Sequence, residues 1–324
     1  MKALITGGAG FIGSHLADAL LAQNHEVVVV DDLSTGSLDN VAHLQSRPEF
    51  QLACGSVCDD SFMPRLVRDC DVVFHLAAAV GVKLIVQEPV RTLHSNIHGT
   101  ETVLELASRY NKRVLLTSTS EVYGKSNDIP FREKADCVLG STQFSRWSYA
   151  CSKMVDEFLA LAYREQFGLE VVICRLFNTI GPRQSGEYGM VVPRFVRRAL
   201  AGEPLEIFGT GEQSRCFSNV RDIVRGLMAL MQCEAALGEV VNLGSTESIT
   251  IKALAAKVLA LTGSKSPVKY LTYDEAYGRP FDDMLARLPD LTQARRLINY
   301  APTVSLDDTL REVIEFERKK LSRM

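Results

Sequence analysis

Tyr149 and Lys153 lie four apart in RWSYACSKMVDE, so on a helix they share one face. An ammonium beside a phenol favours the phenolate and draws a pKa of about 10 down toward use as a general base. Alone, the pair reads more readily as a tyrosine and a lysine on a helix surface. A second stretch, VLLTSTSEVYGK at 114–125, starts as a buried strand and then sets Thr117, Ser118, Thr119, Ser120 and Glu121 in a row. A turn would take Gly, Asn or Pro sooner. Carboxyl ends of strands in an open α/β sheet face the ligand crevice, which is where hydroxyls and a carboxylate could act on a substrate.

The opening TGGAGFIGSH places Gly7, Gly10 and Gly13 three apart, between a strand-like and a helix-like segment, and a strand ending in Asp31 follows. Gly7 permits a tight turn, Gly10 lets backbone approach a pyrophosphate, and Gly13 allows close helix–strand packing. The helix N-terminus offers free N–H groups to phosphates. Asp31 would accept hydrogen bonds from the adenosine ribose and repel a 2′-phosphate, and DDLSTG holds no arginine to welcome one. NAD is therefore favoured over NADP. The competing reading is a structural glycine turn with Asp31 as a solvated strand-end charge.

The segments that must position these groups alternate. Strands are expected at KALITG, EVVVVDD, FQLACGS, CDVVFHLAA, RVLLTST and LEVVICRLF, with helices at GFIGSHLADALLAQ and near 60–68, 90–110 and 146–167. Near-continuous Val/Ile/Leu strands separated by helices predict a doubly wound parallel sheet, a Rossmann-type α/β fold. After Phe177 the pattern loosens through GPRQSGEYG, a short helix in MVVPRFVRRALAGEP, a strand-turn-strand in LEIFGTGEQSRCFSNV, a helix at 222–233 and a strand in EVVNLG. A helix (IKALAAKVLALTG), a loop (SKSPVKYLTYDEAYGRP) and two terminal helices follow. The expected division is a dinucleotide-binding domain at 1–176, with 213–245 returning to it. A smaller discontinuous lobe would comprise 177–212 and 246–324.

The chain has 324 residues, 46% hydrophobic and 23% charged, with a net charge of −3. That balance predicts a soluble globular protein acting on a small molecule, with no nucleic-acid stripe and no membrane segment. A strand starting at Lys2 leaves no room for a targeting segment. Eight scattered cysteines show no zinc-ligand spacing and suit a reducing cytoplasm, so no metal is expected.

In sequence order, TGGAGFIGSHL, DDLSTG, HLAA, NIHGTETVLELA, STSEVYG, YACSK, RLFNTIGPR, GTGEQSRCFSNVRDIVRG and VVNLGS resemble the extended short-chain dehydrogenase/reductases that act on nucleotide sugars. The resemblance implies Thr119 as the hydroxyl partner, Tyr149 as the base, and Lys153 as the residue that tunes it and holds the nicotinamide ribose. It extends the NAD surface to Phe11, Ile12, Ser56, Val57, Leu76, Ala77 and Ala78, and assigns Asn178 and Arg215 to a substrate diphosphate. Where this family has Gly-Asp after the third strand, this chain has Gly55-Ser56, so the adenine contact departs from the pattern. The resemblance also implies a homodimer through helices 96–110 and 147–167, with Val103, Leu104, Leu106, Phe158, Leu159 and Leu161 as candidate contacts.

Such enzymes share oxidation at C4 and diverge near C5. Glu121 preceded by Ser120 resembles the UDP-glucuronate decarboxylases, whereas the 4,6-dehydratases carry Asp-Glu there. Arg146-Trp147 and DDMLARLPD, which holds Arg287, resemble the same branch. The resemblance makes Glu121 and Arg287 catalytic, with Ser120 and Arg287 binding substrate. The product would be UDP-xylose or its 4-keto pentose. A UDP-hexose or UDP-hexuronate 4-epimerase is the alternative, and a 4,6- or 5,6-dehydratase follows. A non-catalytic NAD-binding regulator would not need Tyr149 and Lys153. Competing readings make Arg287 a helix-end surface charge or diphosphate clamp, and Glu121 a solvated loop carboxylate.

Overall fold

The structure is a computed structural model that describes residues 1–81, 88–187, 189–277, 284 and 286–322. Tyr188, Gly278, Arg279, Pro280, Asp282, Asp283 and Leu285, which belong to stretches read above, lie outside the described residues. Among those described, six strands of the first half are β1 (Lys2–Thr6), β2 (Glu26–Asp31), β3 (Phe50–Cys54), β4 (Val72–His75), β5 (Arg113–Thr119) and β6 (Val171–Leu176). The remainder are β7 (Thr179–Ile180), β8 (Leu205–Phe208), β9 (Ser214–Cys216), β10 (Ser218–Asn219), β11 (Val240–Leu243), β12 (Ser248–Thr250) and β13 (Val268–Leu271).

A seven-stranded parallel sheet runs β11-β6-β5-β4-β1-β2-β3. Side chains alternate between its faces, as a period of two requires. Ile5, Val29 and Leu115 enter one core with Leu16, Leu20 and Leu227 of the helices Phe11–Ala22 and Val220–Gln232. Leu4, Val28, Val114 and Leu116 enter the other, against the helices Met63–Arg68, Pro89–Arg109 and Arg146–Phe167. Each fully buried Leu or Val contributes roughly 1.5–3 kcal/mol, so valine-rich strands covered on both faces form the stable centre. Strand order reverses between β1 and β4, and a ligand crevice opens at that switch point.

A separate core joins the helices Val191–Ala201, Ile251–Thr262 and Leu306–Leu321 through Phe195, Leu254, Val258, Leu310 and Val313. Here the chain departs from expectation. LEIFGTGEQSRCFSNV does not fold back on itself: β8 pairs with β13 in parallel and β9 pairs antiparallel with β12. Gly209 and Gly211, at φ +70° and +79°, turn the chain away, and helix Ile251–Thr262 supplies the crossover that a parallel pair needs. SKSPVKYLTYDEAYGRP therefore contains a strand and the short helix Tyr273–Tyr277 rather than only a loop. Leu291, Ala294 and Tyr300, expected in the lobe, pack into the first core beside the main sheet. Ser214–Cys216, expected in the returning segment, pairs outside that sheet. Val103, Leu104 and Leu106 are fully committed to the core, Leu159 and Leu161 pack against it, and of the six candidate interface residues Phe158 alone is broadly exposed, at 70%.

Candidate active site

β1 ends at Thr6 and the chain turns at Gly7, whose φ of +70° suits glycine. A side chain on Gly7 would place Cβ 2.8 Å from the Ala77 nitrogen, and one on Gly13 would meet the Gly7 oxygen at 2.4 Å. The helix Phe11–Ala22 starts at Gly10 with no side-chain cap, so its first N–H groups point outward as donors for a ligand. Asp31 does more than face a ribose. Its carboxylate accepts from the backbone N–H of Ala9 (2.9 Å) and Leu33 (2.8 Å), which fastens the glycine loop to β2. Burial pushes its pKa up, opposed by those bonds. The carboxylate, with about four acceptor sites, retains capacity for a further donor. Below the loop, His75 is held between Thr6 Oγ1 (2.7 Å) and Thr100 Oγ1 (3.1 Å), and Ala77 N–H donates to Thr6 Oγ1 (3.2 Å). The Ser56 hydroxyl accepts from Cys58 N–H (3.1 Å) on the same wall.

Opposite, β5 delivers Thr119 and breaks into a 3-10 turn, Ser120–Tyr123. Thr119 Oγ1 accepts the Glu121 N–H at 3.2 Å and also hydrogen-bonds the Tyr149 phenol. Tyr149 and Lys153 sit on the buried stripe of helix Arg146–Phe167, which continues through Asp156, Glu157 and Ala160 at helical spacing. Behind that stripe, Arg175 grips Glu157 through two nitrogens (2.9 and 2.7 Å) and Ser118 Oγ donates to Glu157 (2.5 Å), locking the helix to β5 and β6.

The lowered tyrosine pKa expected from Lys153 is not what this arrangement gives. Burial raises the Tyr149 phenol well above its usual value, Glu121 and Asp156 add to that, and Thr119 and Arg287 oppose it. The Lys153 ammonium is compensated by Asp156, whose Oδ2 accepts from Nζ at 2.7 Å. Glu121 is no solvated loop carboxylate, since it is 9% exposed and accepts from Arg287 Nη2 at 3.0 Å. Arg287 is likewise no surface charge, at 8% exposure, and its Nε is buried without a partner among the described residues. Asn178 donates to the Cys216 carbonyl (3.2 Å), which brings it beside buried Arg215 on β9.

One continuous cleft of about 1260 Å³ joins these groups. Gly7, Gly10, Phe11, Ile12, Gly13, Asp31, Ser56, Val57, Leu76, Ala77 and Ala78 line one part of it. Thr119, Ser120, Glu121, Tyr149, Lys153, Asn178, Arg215 and Arg287 line the other. Sequence reasoning missed four further groups as site residues. Arg146 is buried on the cleft wall, Arg183 reaches Asp18 (2.8 Å), Arg194 stacks 4.1 Å over Phe208, and Asp156 lies behind Lys153. The sequence cues were Arg146 within the Arg146-Trp147 resemblance, Arg183 at the end of RLFNTIGPR, and Asp156 at helical spacing from Lys153.

The chain matches the family described as GDP-mannose 4,6 dehydratase over residues 4–313. It is 40% identical over 319 residues to UDP-N-acetyl-alpha-D-glucosaminuronate decarboxylase from Bacillus cytotoxicus, covering 98% of each chain. It is 38% identical to UDP-glucuronic acid decarboxylase 1 from Xenopus tropicalis, over 99% of this chain and 73% of that protein. The solved structure of UDP-glucuronic acid 4-epimerase from Bacillus cereus with UDP-glucuronic acid and NAD matches with a TM-score of 0.89 and 29% identity, over 99% and 100% of the two chains.

Proposed function

The chain belongs to the GDP-mannose 4,6 dehydratase family of extended short-chain dehydrogenase/reductases, and from that premise we propose that it is an NAD-dependent decarboxylase of a UDP-linked hexuronate. The observation that carries this reading is the buried Glu121–Arg287 pair, which lines the same cleft as Tyr149. A UDP-hexose 4-epimerase has no C5 carboxylate for a guanidinium to orient, whereas a UDP-hexuronate substrate presents one.

The residues fit NAD. Bare backbone at Gly7 and Gly13, an uncapped helix start and Asp31 together form a pyrophosphate and ribose cradle. When bound, the oxidised nicotinamide supplies a hydride acceptor and a positive charge next to Tyr149. Tyr149 takes the C4 hydroxyl proton, with Thr119 holding the same oxygen, as C4 loses hydride and becomes a ketone. Lys153 holds the ribose. The C5 carboxylate is then a β-keto acid: the C5–C6 bond breaks, CO₂ leaves, and the electron pair becomes an enolate at C4. The Tyr149 phenol and Thr119 stabilise that oxygen. Arg287 orients the carboxylate, and Glu121, competing for the same guanidinium, keeps it from being held too tightly. Because arginine stays protonated, the proton added at C5 comes from water, relayed through Glu121. C4 then regains hydride while its oxygen takes back the proton held by Tyr149, giving the pentose, or the 4-keto pentose leaves with the cofactor reduced. Asn178 and Arg215 clamp the diphosphate, and the separate core of the second half carries the nucleotide-sugar lobe.

Both UDP-glucuronate and its 2-acetamido counterpart are substrates to test, since relatives named for each cover nearly all of this chain. Each is incubated with protein and NAD while CO₂ release and the sugar proton spectrum are followed. A surviving carboxylate with inverted C4 would establish the second reading, 4-epimerisation, which the match to the Bacillus cereus epimerase supports. We further read the protein as a cytoplasmic homodimer. Eight free cysteines suit a reducing compartment, and Phe158 on helix Arg146–Phe167 is an exposed anchor for a second copy. Light scattering tests the dimer.

A further inference from the structure

Lys153 is the junction between the cleft and the interior. Its side chain lines the cleft, is 2% exposed, and directs one of its three N–H donors away from the cleft to Asp156 Oδ2 at 2.7 Å. Asp156 is fully buried, does not line the cleft, and its other oxygen has no hydrogen-bond partner among the described residues. This differs from an ordinary i,i+3 pair on a helix surface, which solvent screens and which adds little. A carboxylate sealed from water with one oxygen unbonded is costly, and a small apolar residue would fill the same place without that cost. What the charge can act on is the ammonium in front of it. Lysine has four rotatable bonds, and an unanchored Nζ would sample several directions.

We propose that Asp156 is a positioning residue for proton transfer: from behind Lys153 it aims the ammonium at the cofactor side of the cleft and offsets part of its field at Tyr149. This rests on the roles proposed above for Tyr149 and Lys153. The other charged or polar groups facing this stripe are few. From β5 and its turn come Thr119, Ser118 and Glu121, and from the C-terminal half comes Arg287. His75 on β4 faces Lys153, Asn96 on helix Pro89–Arg109 binds Ser152, and Glu157 is already held by Arg175. Asp156 is thus the one carboxylate within hydrogen-bond reach of Lys153 Nζ among the described residues. Its negative charge raises the Tyr149 phenol, as the geometry requires.

The test compares Asp156→Asn and Asp156→Ala with the parent and with Tyr149→Phe. The readouts are NAD⁺ dissociation constants by calorimetry, thermal unfolding, and the pH dependence of kcat/KM. Asparagine keeps an oxygen for the Lys153 N–H but drops the charge. It should bind NAD⁺ within about threefold of the parent, while the acidic limb of its pH profile moves down by about one unit, a roughly tenfold gain below that limb. Alanine should weaken NAD⁺ binding about tenfold, and asparagine should restore it. If Asp156→Asn leaves the limb in place or raises it, or if Asp156→Ala binds NAD⁺ like the parent, the assignment is wrong. Should alanine fail to fold, the asparagine profile still decides. Activity surviving in Tyr149→Phe would overturn the underlying reading instead, so the two failures are distinguishable.

Discussion

Replacing Arg287 by methionine keeps the length and apolar body of the side chain but removes its charge from a pair buried on both sides. The guanidinium and the Glu121 carboxylate meet at 3.0 Å with side chains 8% and 12% exposed. Breaking a fully buried, hydrogen-bonded pair costs about 3–5 kcal/mol, and the slight exposure puts this one near 3. If the guanidinium orients the scissile carboxylate, losing that charge-assisted hydrogen bond, worth about 1.5–3 kcal/mol, slows decarboxylation roughly ten- to a hundredfold. On the roles proposed for Tyr149 and Thr119, oxidation at C4 should change far less. A single-turnover experiment separates the two, with absorbance of reduced nicotinamide reporting oxidation and captured CO₂ reporting cleavage. Because Glu121 is itself placed in the proton relay, the double variant Glu121→Gln/Arg287→Met serves for thermal unfolding alone, where it reports how much of the single variant's lost stability comes from the uncompensated carboxylate. CO₂ release within threefold of the parent, or equal loss of both steps, would refute the assignment of Arg287 to C5.

Three other outcomes follow from the same geometry. Tyr149→Phe should lower turnover by roughly 10²–10⁴ while NAD⁺ binding and melting temperature stay close to the parent, as calorimetry and thermal unfolding would show. Gly13→Ala should weaken NAD⁺ binding by more than tenfold, because its Cβ would sit 2.4 Å from a backbone oxygen and 2.6 Å from the Gly8 Cα, neither a side chain that can yield; titration of NAD⁺ by fluorescence checks it. His75 is held down to about 3 by burial, with the Lys153 charge adding. Its unfolded form takes up a proton near pH 6.5 that the folded form refuses, so stability falls as pH drops from about 6.5 toward 3, by up to about 1.4 kcal/mol per unit. His75→Gln should flatten the urea-midpoint profile between pH 6.5 and 5.

The parallel sheet was legible because valine-rich strands and amphipathic helices carry their burial in their periodicity, and because glycine spacing encodes backbone contact. Ser120, Glu121 and Arg287 were legible as types, but their meeting was not: Glu121 and Arg287 are 166 residues apart, and only the fold brings them to hydrogen-bond distance. The pairing of β8 with β13 was hidden for the same reason, since a crossover helix separates strands that local pattern joins to nearer neighbours. Asp156 left almost no signal. A charge three places after Lys153 is what a solvated helix face would also show, and its burial is a property of how helix Arg146–Phe167 packs in the fold. The tyrosine's raised pKa was equally illegible, because burial and the neighbours that set it are properties of the closed cleft.

Thr119 serves two masters at once: it touches the Tyr149 phenol and it folds the turn that carries Ser120 and Glu121. On the roles proposed above, the groups acting at C4 are anchored on strand and helix, while those assigned to the next carbon ride on a four-residue turn that can be rewritten without disturbing that anchor. Such an arrangement is modular in an evolutionary sense. Exchanges at Ser120 and Glu121 could redirect what becomes of the oxidised sugar while its oxidation is inherited intact, which makes this turn the economical place to graft a neighbouring activity onto the same frame.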